Sequence, residues 1–147
     1  MTEVEILRLI EGGKKVTVEF KKSTNEITKD VYDTVCSFSN REGGHIFLGI
    51  EDDGTVKGVI PEAVEKMRKD FITTVNNANK IYPPMYLIPE EIEIKGKMVL
   101  YIYVPIGTQV CRHNGKIFDR SHEADIDITN NSDAVYRLYA RKQDSIM

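Results

Sequence analysis

Two kinds of hydrophobic spacing alternate along the chain and divide it into helices and strands. Apolar residues with helical spacing predict helices at residues 4–10, 26–40, 61–78 and 132–142. Alternation of apolar and polar residues at 16–21 predicts an amphipathic strand, and the nearly unbroken apolar run at 45–50 predicts a central strand. We expect these two strands to share one sheet, with the helix at 26–40 packed on it.

Turn and capping signals set the expected boundaries of these elements. Ser23 and Glu26 form a capping-box pattern, and Pro61 suits the first turn of the third helix. Strands are expected at 86–94, bent near Pro89, and at 98–104. The pair Asn114-Gly115 predicts a type I′ turn between strands at 110–113 and 116–120. Because helices and strands mix without strict β-α-β alternation, the predicted fold class is α+β, with mixed or antiparallel sheets and three to four helices.

Length and composition are typical of one ordinary globular domain. The chain has 147 residues, of which 41% are hydrophobic and 29% charged, so residues 1–147 are expected to form a single domain. Cys36 lies in a helical apolar pattern and has no ligand-type spacing to Cys111, which predicts buried thiols in a reducing compartment. No membrane-length apolar run and no signal-peptide pattern occur in the sequence, so we expect a cytoplasmic location and no membrane partner.

The net charge of −3 argues against nucleic acid as a partner, because such binding depends on neutralising phosphates, so any basic surface must be local. One candidate for chemistry is the strand that contains Glu19 and Lys21, which share a face because they are two residues apart. A carboxylate beside a lysine can bind a metal and orient a phosphate. The same pattern is also typical of the solvated face of a strand.

Two further segments can be interpreted in two ways. Gly43 and Gly44 can bind a phosphate through their backbone N–H groups, or can end a helix and form a tight turn. The acids at 51–53 follow the central strand, where they can bind a metal or simply occupy a hairpin turn.

Taken in order along the chain, these segments resemble the motifs of a known family. The series is EFK at residues 19–21, VCSFSN at 35–40, the Gly43-Gly44 turn and LGIED at 48–52. It is followed by YIYVP at 101–105 and FDRS at 118–121. The series resembles the Schlafen AlbA-like domain, also called the divergent AAA domain, over about residues 5–140.

The resemblance implies a nucleic-acid-binding domain, with DNA as the expected partner. It also implies that the chain is the N-terminal part of a longer, bacterial-type transcriptional regulator. A structural domain that forms a homodimer is an alternative. The side chains expected to contact nucleic acid are basic: Lys21, Lys22, Arg41, Arg112, Lys116 and Arg120.

The resemblance also raises a nuclease alternative, since some family members cleave RNA with three acids. Two positions carry over, Glu19 and Asp52, but the third, five residues before Glu19, is Lys14. We therefore favour no catalytic residue, no metal and no cofactor; Mg²⁺ or Mn²⁺ enters only if the nuclease alternative holds. Lys14 can instead lie against both acids in the place of the ion.

Two tyrosines and the three histidines are the remaining candidate side chains. Tyr82 and Tyr86 flank two prolines and are expected to be exposed, where they can stack on bases or, as we favour, fill a protein interface. The histidines match no catalytic spacing and receive no role: His45, His113 and His122.

Overall fold

The computed structural model describes residues 1–146, and side chains for residues 1–143. Over that range it has four α-helices: α1 (Glu3–Glu11), α2 (Lys29–Asn40), α3 (Val64–Val75) and α4 (Ser132–Ile146). A short 3₁₀ turn, Pro61–Ala63, precedes α3 and has proline in its first turn. The strands are β1 (Val18–Lys21), β2 (Gly44–Leu48), β3 (Ile81–Tyr82), β4 (Glu90–Ile94), β5 (Lys97–Val104), β6 (Arg112–His113), β7 (Phe118–Ser121) and β8 (Ala124–Asp127).

The main sheet has four strands in the order β1-β2-β5-β4. Strands β1 and β2 are parallel, and the other two pairs are antiparallel. The predicted pairing of the two N-terminal strands in one sheet is confirmed. The fold is α+β, as the mixed pattern predicted.

Helices cover both faces of this sheet, which explains the continuous apolar sequence of β2. Ile46 and Leu48 point toward α2 and pack in its cluster, as predicted for that helix. Phe47 points the other way and packs with Ile10 of α1. On β1, Phe20 lies on the α1 side, so Glu19 and Lys21 lie on the face that α2 covers.

Two small ladders, β3-β6 and β7-β8, extend the fold beside α2. A third apolar cluster holds α4 against them through Leu138, which is fully buried. The Asn114-Gly115 turn has the positive φ angles that a type I′ turn requires, 50° and 80°, so the predicted turn is confirmed. The predicted hairpin was wrong beyond a single bridge between His113 and Lys116, because β6 pairs with β3 and β7 pairs with β8. All of the described helices are too short or too polar to span a bilayer.

Several boundaries differ from the sequence prediction. The capping box at Ser23 was wrong, because α2 begins at Lys29 with Thr28 as its N-cap, while Ser23 takes a left-handed φ of 35°. Residues 86–89 are not in a strand, since β4 begins only after Pro89. Strand β8 was not predicted at all.

Candidate nucleic-acid interface

Glu19, at the centre of the EFK strand, is buried rather than displayed to solvent. Its side chain is 4% exposed, and its Oε2 lies 3.1 Å from an Nη of Arg120. Its Oε1 accepts a 2.9 Å hydrogen bond from the backbone N–H of Phe20. The face that Glu19 shares with Lys21 is therefore not the solvated face of an amphipathic strand, because α2 and β7 cover it.

Lys14 lies between the two acids of the nuclease alternative. Its Nζ is 3.4 Å from Glu19 Oε1 and 3.3 Å from Asp52 Oδ1, which confirms the position expected for this ammonium group. Burial lowers the pKa of Lys14, but the carboxylates of Glu19 and Asp52 outweigh burial and raise that pKa above its usual value. The ammonium is thus held in its charged form between the acids.

Lys14 and Asp52 form one edge of a shallow cleft of about 400 Å³, whereas the buried Glu19 does not line it. Lys21 and Lys22 also line it, together with Asp30 at the start of α2. Lys21 is 2.8 Å from Asp30, and its side chain is 17% exposed. Lys22 is exposed at the rim, next to the 51–53 turn. Of the predicted basic residues, the cleft therefore brings together only these two.

Arg120 lies in the interior and has no exposed side-chain surface. One Nη bridges Glu19 and Asp125, at 3.1 and 2.9 Å, and the other donates to the backbone carbonyls of Lys15 and Val18. Its guanidinium also lies 4.8 Å from the ring centre of Phe38. Arg120 ties β7 to β1 and α2, so we leave it out of the candidate interface, contrary to the sequence prediction.

Arg41 is engaged at the C-terminal end of α2. Its guanidinium makes two hydrogen bonds to Asp119, at 3.2 and 2.8 Å, and Arg141 of α4 approaches the same carboxylate at 3.2 Å. Arg41 keeps about a third of its side chain exposed, at 35%.

Lys142 of α4 also reaches the C-terminal end of α2, where it donates to the carbonyl of Ser39 at 2.6 Å. Cations from α4 thus offset the negative end of α2, which has no basic residue in its own last turn.

The Gly43-Gly44 turn is a packed backbone turn. Both glycines are buried, and the N–H of Gly43 donates to the carbonyl of Phe38 at 2.7 Å. A Cβ on Gly43 would lie 2.7 Å from the carbonyl oxygen of Val104, and one on Gly44 would lie 2.7 Å from the Phe38 ring. Close packing explains why glycine is needed here. We therefore do not retain the turn as a phosphate site.

The remaining predicted residues lie on the β6 side of the molecule. Lys116 is exposed after the hairpin turn, and Arg112 is partly exposed on β6. An Nη of Arg112 donates to the hydroxyl of Tyr139 at 3.0 Å. Tyr139 was missed in the sequence, because nothing in the helical pattern of α4 shows that it reaches β6.

Two histidines have specific neighbours. His113 Nδ1 is 2.6 Å from Asp33, and His45 Nδ1 is 2.7 Å from the hydroxyl of Tyr101. In the described part of the chain, no three His, Cys, Asp or Glu side chains are grouped to share a metal ion.

Comparison with solved structures supports the fold. The chain is similar to the DIP2311 protein of Corynebacterium diphtheriae, with a TM-score of 0.59 and 14% identity over 84% of this chain. The match covers 29% of that protein, so the chain spans less than a third of its length. The N-terminal domain of a RecG-related protein of Nitrosomonas europaea is also similar, at TM-score 0.48 and 21% identity, over 67% of this chain and 71% of that one.

Comparison with protein families is more specific. No curated protein is significantly similar to the chain. The sequence model of the family described as "Schlafen, AlbA_2" matches residues 14–142, which include β1, α2, β2 and most of α4. The chain therefore belongs to the Schlafen AlbA_2 family.

Proposed function

We propose that this chain is a nucleic-acid-binding module that holds its ligand without cleaving it, and that it is the DNA-binding part of a transcriptional regulator. Family membership supports the nucleic-acid ligand. One observation carries the absence of cleavage: the Lys14 ammonium lies between Glu19 and Asp52. Metal-dependent phosphodiester cleavage uses a divalent ion to activate water and stabilise the leaving oxygen. Here the Lys14 ammonium lies between the two acids and offsets part of their negative charge.

The proposed contacts are few, because four of the six predicted basic side chains already have partners within the fold: Lys21, Arg41, Arg112 and Arg120. Lys22 and Lys116 are exposed, and Arg112 is partly exposed. Lys21 and Arg41 are each paired with a carboxylate, so each attracts a phosphate less strongly than an unpaired cation would. A small number of phosphate contacts is consistent with the net charge of −3.

The test is the salt dependence of binding to a short labelled DNA duplex. Each phosphate contact contributes about −0.9 to the slope of log affinity against log salt. We expect combined Lys22→Ala and Lys116→Ala substitutions to make that slope shallower by about two units, one per lost contact. The loss should be equal for unrelated DNA sequences, because phosphate contacts carry no base information.

Lys66→Ala is the matched control, because Lys66 is a highly exposed lysine that already pairs with Asp70 at 2.7 Å. It should leave the slope unchanged. If the parent protein binds neither DNA nor RNA at low salt, the proposal is wrong. If the double variant binds like the parent at every salt concentration, these lysines are not the interface.

A further inference from the structure

A second concave surface lies on the outer side of the β3-β6 ladder. Ile81 pairs with His113 and Tyr82 pairs with Arg112, in antiparallel register. Ile81 and His113 are buried, so the alternation of side chains places Tyr82 and Arg112 together on the outer face. These two residues and Tyr139 of α4 line a groove of about 390 Å³, which is within the size range of ligand sites. We call it the tyrosine groove.

The aromatic side chains of the groove are exposed to solvent. Tyr82 is 55% exposed and Tyr139 is 47% exposed, although both contribute to a concave surface. Tyrosine rings carry a large apolar face at a low cost in conformational entropy, so an exposed pair in a groove is a ready platform for a flat partner.

The groove also carries positive charge. Arg112 is bonded to the Tyr139 hydroxyl at 3.0 Å, which fixes it beside that ring. This bond uses one of the five N–H donors of a guanidinium, and an arginine can bind a phosphate with two donors at once. Lys142 lines the same groove, and the turn that precedes Lys116 adjoins β3, since the N–H of Asn114 in that turn bonds to the carbonyl of Lys80.

We propose that the tyrosine groove binds an unpaired base of a single-stranded nucleic acid, with the base stacked on Tyr82 or Tyr139 and a neighbouring phosphate bound by Arg112. This inference rests on the proposed nucleic-acid function and specifies the form of the ligand. The flat face of a base is available only when the base is unstacked, whereas a duplex offers only base edges and phosphates. Aromatic rings beside a cation complement a single strand, which presents both groups together.

The experiment compares binding of a short labelled oligothymidylate with binding of a blunt duplex of similar charge, by fluorescence anisotropy. Stacking contributes roughly 1–3 kcal/mol per base, so Tyr82→Ala or Tyr139→Ala should weaken single-strand binding by about 5- to 150-fold. Duplex affinity should change much less. Tyr82→Phe keeps the ring and should retain the affinity. Tyr136→Ala is the matched control, because Tyr136 is 74% exposed on the same helix and does not line the groove.

The outcomes separate this inference from the proposed function. If the parent binds the single strand and both alanine variants bind it equally well, the groove is not the base site, although the proposed function stands. An equal loss for single strand and duplex would also overturn the inference. If the parent binds no nucleic acid at low salt, the proposed function fails. Because both tyrosines are exposed, the variants should keep the parent's melting temperature, which is checked by circular dichroism.

Discussion

Lys14 is the residue on which the charge balance of the candidate site depends. Glu19 is nearly inaccessible to water, so its carboxylate needs compensating cations, and it receives two, Lys14 and Arg120. Asp52 is different, since its side chain is 86% exposed and solvent can stabilise it. The ammonium of Lys14 therefore neutralises a buried acid first, and only secondarily the exposed one.

The first prediction reverses the charge of Lys14. The substitution Lys14→Glu places a third carboxylate beside Glu19 and Asp52, and three acids favour a hard divalent ion. We expect the variant to bind Mn²⁺ with a dissociation constant on the order of millimolar, and the parent to bind it more weakly. Isothermal titration measures both. Lys14→Gln is the control, since it removes the ammonium without adding an acid; equal Mn²⁺ affinity in all three proteins contradicts the prediction.

The second prediction concerns Lys142, whose amine is buried against backbone carbonyls. Burial, reinforced by the nearby Arg141, lowers the pKa of Lys142 to about 8. An unfolded lysine has a pKa near 10.5, so between about pH 8 and 10.5 the unfolded chain binds more protons than the folded one. The contribution of Lys142 to the free energy of unfolding therefore rises with pH across that window.

Comparison with Lys142→Met isolates this contribution. The free energy of unfolding of the parent, relative to that of the variant, should increase as the pH rises through the window. Urea denaturation at several pH values measures it. A difference that stays constant with pH would show that Lys142 keeps a normal pKa in the folded protein.

At the scale of elements, Asn40 in the last turn of α2 joins that helix to the later strands. The Asn40 amide donates to the carbonyls of Cys111 and Phe118, at 3.0 and 2.8 Å, and accepts from the N–H of Cys111 at 2.7 Å. All three bonds are buried. The Asn40 side chain thus satisfies backbone groups of Cys111, which directly precedes β6, and of Phe118, the first residue of β7.

The third prediction is that Asn40→Ala lowers the free energy of unfolding by about 3 kcal/mol or more, because it leaves three buried backbone groups unpaired. Asn131→Ala is the control. Asn131 is an exposed asparagine that accepts a bond from the first turn of α4, so its loss should cost only about 1 kcal/mol. Chemical denaturation of both variants measures the difference; equal losses would mean that the buried bonds are not important.

The elements that could be predicted from sequence are those with a clear hydrophobic period. Strands β1 and β2 and the body of α2 follow from apolar spacing, because each buries a continuous face. Strand β8 was not predicted, because it has only four residues, is mostly exposed and contains two aspartates, which are rare in strands. The start of α2 depends on the left-handed backbone at Ser23, which its local sequence does not indicate.

The candidate site was predicted only in part, because several of its contacts depend on packing between segments that are distant in sequence. Sequence position suggested that Lys14 could meet Glu19 and Asp52, because the family pattern places these three positions together. It did not indicate that Arg120 is buried, since an arginine in a short strand is usually exposed. The pairing of Tyr82 with Arg112, and the 2.7 Å approach of the Cys36 and Cys111 sulfurs, depend on non-local packing that no local pattern encodes.

At the scale of the whole molecule, charge is distributed so that a net acidic protein can still present local cations. Buried and half-buried acids are paired with arginine and lysine inside the fold, as Asp119 is with Arg41 and Arg141. Among the predicted basic residues, those that are exposed or partly exposed and not paired with an acid lie at two places: Lys22 at the rim of the cleft, and Arg112 and Lys116 at the tyrosine groove and the turn next to it. A ligand that contacts both would gain from phosphate attraction without a broad basic face.

The central claim is binding without cleavage, and one measurement tests it most directly. Labelled RNA and single-stranded DNA are incubated with the pure protein and Mn²⁺ at low salt, and each sample is analysed for both complex formation and strand length. We expect complexes that contain intact strands. Cleavage by the parent that disappears in Asp52→Asn, a change at an exposed side chain that should leave the fold intact, would show instead that the protein is a nuclease.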